Sequence, residues 1–210
     1  FRPTSAGELV DRYLAEIRGV QPHGPYQLLG WSLGGVLAQA VATRLQAEGE
    51  TVASLTMLDS LPGAALADFG TELRHVLVEL GLPEHQLPDQ LTELGDAALE
   101  SLHAALAGDA PISRAQFVGM YRGALHSVAL LTELEHARFE GDLTYFTAMR
   151  TPQKLGDGAS RWRPFVSGII ADHPVDATHQ QLLDAVSIAT SGPVIAQVVA
   201  GVDGSGDTRP

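Results

Sequence analysis

Apolar positions along the chain change their spacing twice, and the changes divide it into three blocks. In the first, Leu9, Val10, Tyr13, Leu14 and Ile17 recur at the three-and-four spacing of one helix face. Ser5-Ala6-Gly7-Glu8 ahead of them is a capping-box pattern, and Gly19 is the expected stop. Pro22, Gly24 and Pro25 predict a turn. Residues 26–30 are short, mostly apolar and bounded by breakers, as a buried strand is. A helix follows from Leu33 to Glu48 and ends at Gly49, and residues 52–58 read as a second buried strand ending at Asp59. Strand, helix and strand at this spacing form a βαβ unit with parallel strands.

From residue 62 to about 136 the period is helical throughout. Leu73, Val76, Leu77 and Leu80 fall on one face. Ser113-Arg114-Ala115-Gln116 is a second capping box, leading into Phe117, Tyr121, Leu125 and Val128. Residues 81–90, with two prolines, are expected to be loop. Strand character returns at residues 143–148 and 167–171. A last helix is predicted over 186–199, interrupted or restarted at Gly192-Pro193, before a Gly- and Asp-rich tail. The expected organisation is therefore an α/β core over residues 1–61 and 139–200, a helical insertion over 62–138, and a flexible tail over 201–210. A helical insertion after a sheet strand is the usual form of an active-site cover.

The chemistry lies at the first strand-to-helix junction, Gly30-Trp31-Ser32-Leu33-Gly34. A serine that leaves a strand and enters a helix in one step is held in a strained conformation. Small residues two before and two after it let chain segments approach closely. Ser32 also sits at a helix N-terminus, which favours developing negative charge, and the Leu33 N–H is placed to donate to an oxyanion. The preceding strand and following helix are the context the motif requires.

Partners of such a serine follow in the order acid, then histidine. Of the downstream histidines, His75, His85, His103, His126 and His136 fall in the helical block. His173 and His179 remain, both after the last predicted strand, and position alone leaves either open as the base. For the acid, the segment after residues 143–148 offers only Asp157, in a loose Gly-rich stretch. Asp59 ends the strand beside the nucleophile strand and reaches toward the base from the same sheet edge, so it is preferred.

The formal net charge of −12 repels phosphate backbones and anionic membranes, so neither nucleic acid nor membrane is an expected partner. The absence of cysteine removes thiol catalysis and Cys-ligated metal, and the six-residue spacing of His173 and His179 is no standard ligand pattern; no metal is expected. No apolar run reaches the ~18 residues of a membrane span, and no basic run leads into an apolar core, so a soluble, cytoplasmic location is the default.

Residues 24–35, Gly-Pro-Tyr-Gln-Leu-Leu-Gly-Trp-Ser-Leu-Gly-Gly, resemble the elbow of type I thioesterase domains of nonribosomal peptide synthetases. Met57-Leu58-Asp59-Ser60-Leu61-Pro62 resembles their acid segment, Asp176-Ala177-Thr178-His179 their histidine loop, and Phe139-Glu140-Gly141-Asp142 their return to the sheet after the lid. The resemblance implies an α/β-hydrolase fold, with a mostly parallel sheet and a helical lid. It implies Ser32, Asp59 and His179 as the triad. The implied substrate is a peptidyl or acyl thioester on the phosphopantetheine arm of an upstream carrier domain, released by water or by cyclisation; no cofactor of the domain's own is implied. Family members begin with further strands and a loop that gives a second oxyanion N–H. Such strands are expected upstream of Ser5. The competing readings are a free-standing esterase or lipase of the same fold, and a non-catalytic interaction domain that keeps it.

Overall fold

In a computed structural model, residues 2–63, 69–79, 82–106, 112–150 and 158–203 are described. Four strands, β1 (Tyr26–Trp31), β2 (Val52–Leu58), β3 (Leu143–Ala148) and β4 (Ile170–Val175), form one sheet in the order β1-β2-β3-β4, with every pairing parallel. All four carboxyl ends therefore lie along one edge, where ligands and catalytic groups collect in such sheets. β2 and β3 are buried as read: Leu55, Met57, Leu143, Tyr145 and Phe146 are at most 1% exposed. β1, also read as a buried strand, is buried only at Tyr26 and Gly30. β1 is an edge of the described sheet, and its Leu29 is 51% exposed.

Helix α1 (Ala6–Val20) is capped by Ser5, whose hydroxyl accepts from the Glu8 N–H at 3.1 Å. The Glu8 carboxylate reaches one residue further back than a capping box requires, to the Thr4 N–H at 2.7 Å. Val10 and Leu14 are buried, whereas Tyr13 is 49% exposed. The helix passes through Gly19, expected as its stop, and ends where the Gln21 N–H bonds the Ile17 carbonyl at 2.8 Å. Helix α2 (Leu33–Ala47) connects β1 to β2, and its Val36, Ala42 and Leu45 are wholly buried. A helix apolar on most sides belongs inside a fold rather than on it.

Between β2 and β3 the chain forms α3 (Phe69–Glu79), α4 (Asp96–Leu106) and α5 (Arg114–Thr132), which belong to a compact unit of their own, Leu66–Thr132. Its core is Leu77, Leu82, Leu87, Leu91, Leu99, Leu102, Phe117 and Tyr121. The Tyr121 hydroxyl donates to the Leu91 carbonyl at 2.6 Å and accepts from the Leu94 N–H at 3.2 Å, tying irregular chain to α5. The second capping box forms as read: Ser113 N–H to Gln116 Oε1 at 2.9 Å and Gln116 N–H to Ser113 Oγ at 3.3 Å. Residues 82–90 are loop with one short turn at Glu84–Gln86.

Two expectations fail in the last block. β4 occupies Ile170–Val175 rather than 167–171, so His173 and Pro174 are strand residues. Pro174 is tolerated because β4 is an edge strand, where a missing N–H interrupts no ladder on its outer side. Helix α6 (Ala185–Asp203) runs unbroken through Gly192-Pro193. Its start is fixed by Asp184, whose carboxylate accepts from the Ser187 N–H at 2.8 Å, and Val194 and Ile195 just past the proline pack on the sheet. That packing holds helical a turn that proline alone would loosen.

α5 ends at Thr132, so His136 is not a helix residue as expected but part of the strand-ward return. Its Nε2 accepts from the Gly63 N–H at 3.0 Å, and its Nδ1 lies 2.9 Å from Gln39 Oε1. Gln39, 0% exposed on α2, donates through Nε2 to the Ala137 carbonyl at 2.6 Å. The imidazole packs against Trp162 and Phe165. The segments just after β2 and just before β3 are thus clamped to the helix behind the elbow.

Burial pulls the His136 pKa from 6.5 down to about 4. The neutral ring, with Nδ1–H donating and Nε2 accepting, satisfies both partners; protonation turns Nε2 into a donor facing another N–H. A folded pKa below the unfolded one means the contribution is complete above about pH 6.5 and is lost as pH falls toward 4. The loss is on the order of a few kcal/mol, reduced by solvent around a ring that is only partly buried. The thermal midpoint of the parent is expected to fall more steeply across that window than that of His136→Gln. Parallel curves would remove His136 from the acid response.

Candidate active site

The backbone around Ser32 is forced into its shape from three sides. Ser32 caps α2 with φ 56° and ψ −126°, a region that residues other than glycine seldom occupy. Its N–H donates across to the Leu58 carbonyl of β2 at 3.0 Å, while its own carbonyl accepts from Gly35 N–H at 3.0 Å. A Cβ on Gly30 would run into the Gly34 backbone, and one on Gly35 into the Ser60 side chain. A Cβ on Gly34 would meet open space. The tight approaches therefore need glycine at 30 and 35, and the second is one residue later than the motif suggested. Leu33 opens α2, where N–H groups have no acceptor one turn back.

Asp59 leaves β2 as Ser32 leaves β1, at φ 46°. The two departures lie side by side, because Trp31 and Leu58, the residues before them, are register partners. The Asp59 N–H bonds the Phe146 carbonyl at 2.8 Å, and its Oδ1 accepts from the Ala148 N–H at 3.3 Å. The next residue is an anchor that the sequence reading did not pick out. Ser60 is 0% exposed, and its carbonyl accepts from both the Tyr145 hydroxyl at 2.8 Å and Trp162 Nε1 at 2.7 Å. Fully buried side chains thus hold the main chain immediately past the carboxylate, and that keeps its rotamer aimed.

His179 follows β4, and its Nδ1 lies 2.8 Å from Asp59 Oδ2. Both side chains are largely buried, at 14% and 19% exposure. An ionised carboxylate only accepts, so Nδ1 carries the proton of this contact, which in the neutral ring leaves Nε2 as the basic nitrogen. The histidine loop is held by its carbonyls. Arg150 donates from its N–H to Ala177 at 2.9 Å and from Nη2 to Asp176 at 2.6 Å, and Trp31 Nε1 donates to His179 at 3.2 Å. Arg150 sits just past β3 and serves the histidine loop as a donor. The Thr178 hydroxyl accepts from the Gln181 N–H at 3.4 Å, starting the short turn Gln180–Leu183.

The structure separates the two candidate histidines. His173 stacks on Phe146 with ring centroids 5.2 Å apart, within β4, whereas His179 meets the carboxylate. The competing acid, Asp157, lies outside the described residues. Among the described residues, no group of three or more His, Asp or Glu side chains is placed to hold a metal ion. None of the helices there is long and apolar enough to cross a membrane. The arrangement is that of a hydroxyl on a strained turn at a helix N-terminus, with a carboxylate-oriented imidazole at the same sheet edge: the parts of covalent acyl transfer.

The chain was compared with known proteins. A family model described as thioesterase domain matches residues 2–191. The chain is 32% identical over 202 residues to a dimodular nonribosomal peptide synthase of Bacillus subtilis (strain 168), covering 92% of this chain and 8% of that protein. It is 33% identical over 188 residues to enterobactin synthase component F of Escherichia coli (strain K12), covering 90% of this chain and 14% of that protein. It thus spans a small part of the curated relatives it matches. Among solved structures, the NocB thioesterase domain in covalent complex with a fluorophosphonate nocardicin G analog aligns at TM-score 0.67 and 25% identity, over 94% of this chain and 76% of that one. The parallel sheet, the elbow and the match over nearly the whole chain agree, and the chain belongs to the thioesterase domain family, with an α/β-hydrolase fold.

Proposed function

We propose that Ser32, Asp59 and His179 are the catalytic triad, and that the domain releases a peptidyl or acyl chain from the phosphopantetheine thioester of a carrier domain. The observation that carries this reading is the 2.8 Å contact of His179 Nδ1 with Asp59 Oδ2, at the sheet edge that also bears the strained Ser32 turn. His179 Nε2 takes the Ser32 proton as Oγ attacks the thioester carbonyl. The Leu33 N–H donates to the oxyanion; the C–S bond then breaks, and the departing thiolate takes the proton from the His179 imidazolium, which leaves the ring neutral again. A simple thiol has a pKa of about 8.5, so its departure needs little acid help. The resulting ester on Ser32 is then attacked by water, or by a nucleophile within the chain to give a macrocycle, with His179 again as base. Asp59 holds the imidazole tautomer and stabilises the imidazolium.

The synthase relatives, of which this chain matches only a small part, support a tethered donor in place of a free ester. The test is turnover of peptidyl- and acyl-pantetheine thioesters against simple alkyl esters, with products identified by mass spectrometry. Preference for the thioesters is expected; equal or better use of alkyl esters would favour a general esterase. The helical unit is read as a cover that opens for the arm. Amide hydrogen exchange in α3 to α5 is then expected to be faster than in β1 and β2. Equally slow exchange would make it a fixed wall.

A further inference from the structure

The residue before the nucleophile touches the proposed base twice. The Trp31 indole stacks on the His179 imidazole, with ring centroids 5.0 Å apart and planes 28° from parallel. Its Nε1–H also donates to the His179 carbonyl at 3.2 Å. With the Asp59 contact at Nδ1, the histidine is held at its ring face, at its ring edge and at its backbone. The indole in turn packs against a buried cluster that includes Leu58, Phe146, Val175 and Leu182, so its own position is fixed by the sheet. A smaller aliphatic side chain could keep apolar contact with that cluster. Only a flat ring with a polar edge supplies both contacts to His179.

We propose that Trp31 is a positioning residue for His179, coupling the placement of the base to the strand that carries Ser32. The proposal rests on the triad reading above. Its physical content is that the imidazole and the nucleophile are referenced to adjacent residues of one backbone. Loop motion at residues 176–179 therefore does not by itself separate them. Charged groups at this loop are Asp59, on the ring, and the Arg150–Asp176 pair at its base; Trp31 supplies the contact that needs no charge.

The test compares Trp31→Phe, which keeps a flat ring without the N–H, and Trp31→Leu, which keeps apolar character alone in a smaller side chain. Each is measured in the parent and in a His179→Ala background, with thermal midpoints recorded. Loss of one neutral hydrogen bond predicts about a fivefold lower kcat for Trp31→Phe. Loss of both contacts predicts a fall on the order of 10²-fold for Trp31→Leu, with KM little changed, because misplacing a catalytic group costs turnover rather than binding. In the His179→Ala background Trp31→Leu is expected to cause no further loss of the residual acylation rate, since the group it positions is gone. A folded Trp31→Leu enzyme with parental kcat overturns the proposal. So does the same fold-loss with and without His179. If the parent forms no acyl adduct at Ser32, the triad reading itself fails; an intact parental adduct beside an indifferent Trp31→Leu sinks only the role of the indole.

Discussion

Replacing Ser32 by alanine is expected to abolish the acyl-enzyme. No other hydroxyl stands at the turn between β1 and α2, and only the Ser32 oxygen can carry the acyl group there. The loss is qualitative: intact-mass analysis after incubation with a peptidyl-pantetheine thioester should show an added acyl mass on the parent and none on the variant. The substitution removes one atom from a half-buried side chain that makes no capping bond of its own, so the fold should survive it. A residual rate above that in water is still expected, because the oxyanion donor and the binding groups remain. An adduct that persists on Ser32→Ala would move the nucleophile elsewhere.

The second large effect is expected at Asp59. Asparagine fits the same space and can still meet a ring nitrogen, yet its amide no longer enforces Nδ1–H. In a serine protease with the same three-part arrangement, this change costs ~10⁴ in turnover through the wrong tautomer. A similar fall in kcat is expected for Asp59→Asn, with an unchanged thermal midpoint within about a degree or two, since the change is conservative and partly solvated. The comparison is Asp157→Asn. A silent Asp59→Asn beside a severe Asp157→Asn would transfer the acid to Asp157.

Much of this site was legible because it is built from local signals. A strand, a glycine-flanked serine and a helix follow one another within about twenty residues, and Asp59 ends the next apolar run. Periodicity reads such elements directly. The last block was harder for a physical reason. β4 is an edge strand with a proline in it, so its extent depends on pairing with β3, and Pro174 reads locally as a break. In α6, Gly192-Pro193 is a local interruption that packing of Val194 and Ile195 overrides. The elbow glycines show the same limit at finer scale: Gly35 is required by Ser60, a residue remote in sequence, and no local pattern reveals that contact. Choosing between His173 and His179 needed either the family resemblance or the geometry, because both follow strand-like sequence. Trp31 was in view from the start as part of the elbow, but its contacts to His179 span 148 residues of chain.

The clamp of His136, Gln39 and Gly63 also bears on how such a domain can diversify. It pins the chain just after β2 and again just before β3, so the chain leading into the insertion and the chain leaving it are both fixed to α2. The insertion has an apolar core of its own. Its length and helix count can then change without displacing β2, β3 or α2, whose flanking chain is held independently of it. An insertion anchored in this way can be rebuilt as a separate piece while the sheet keeps its register.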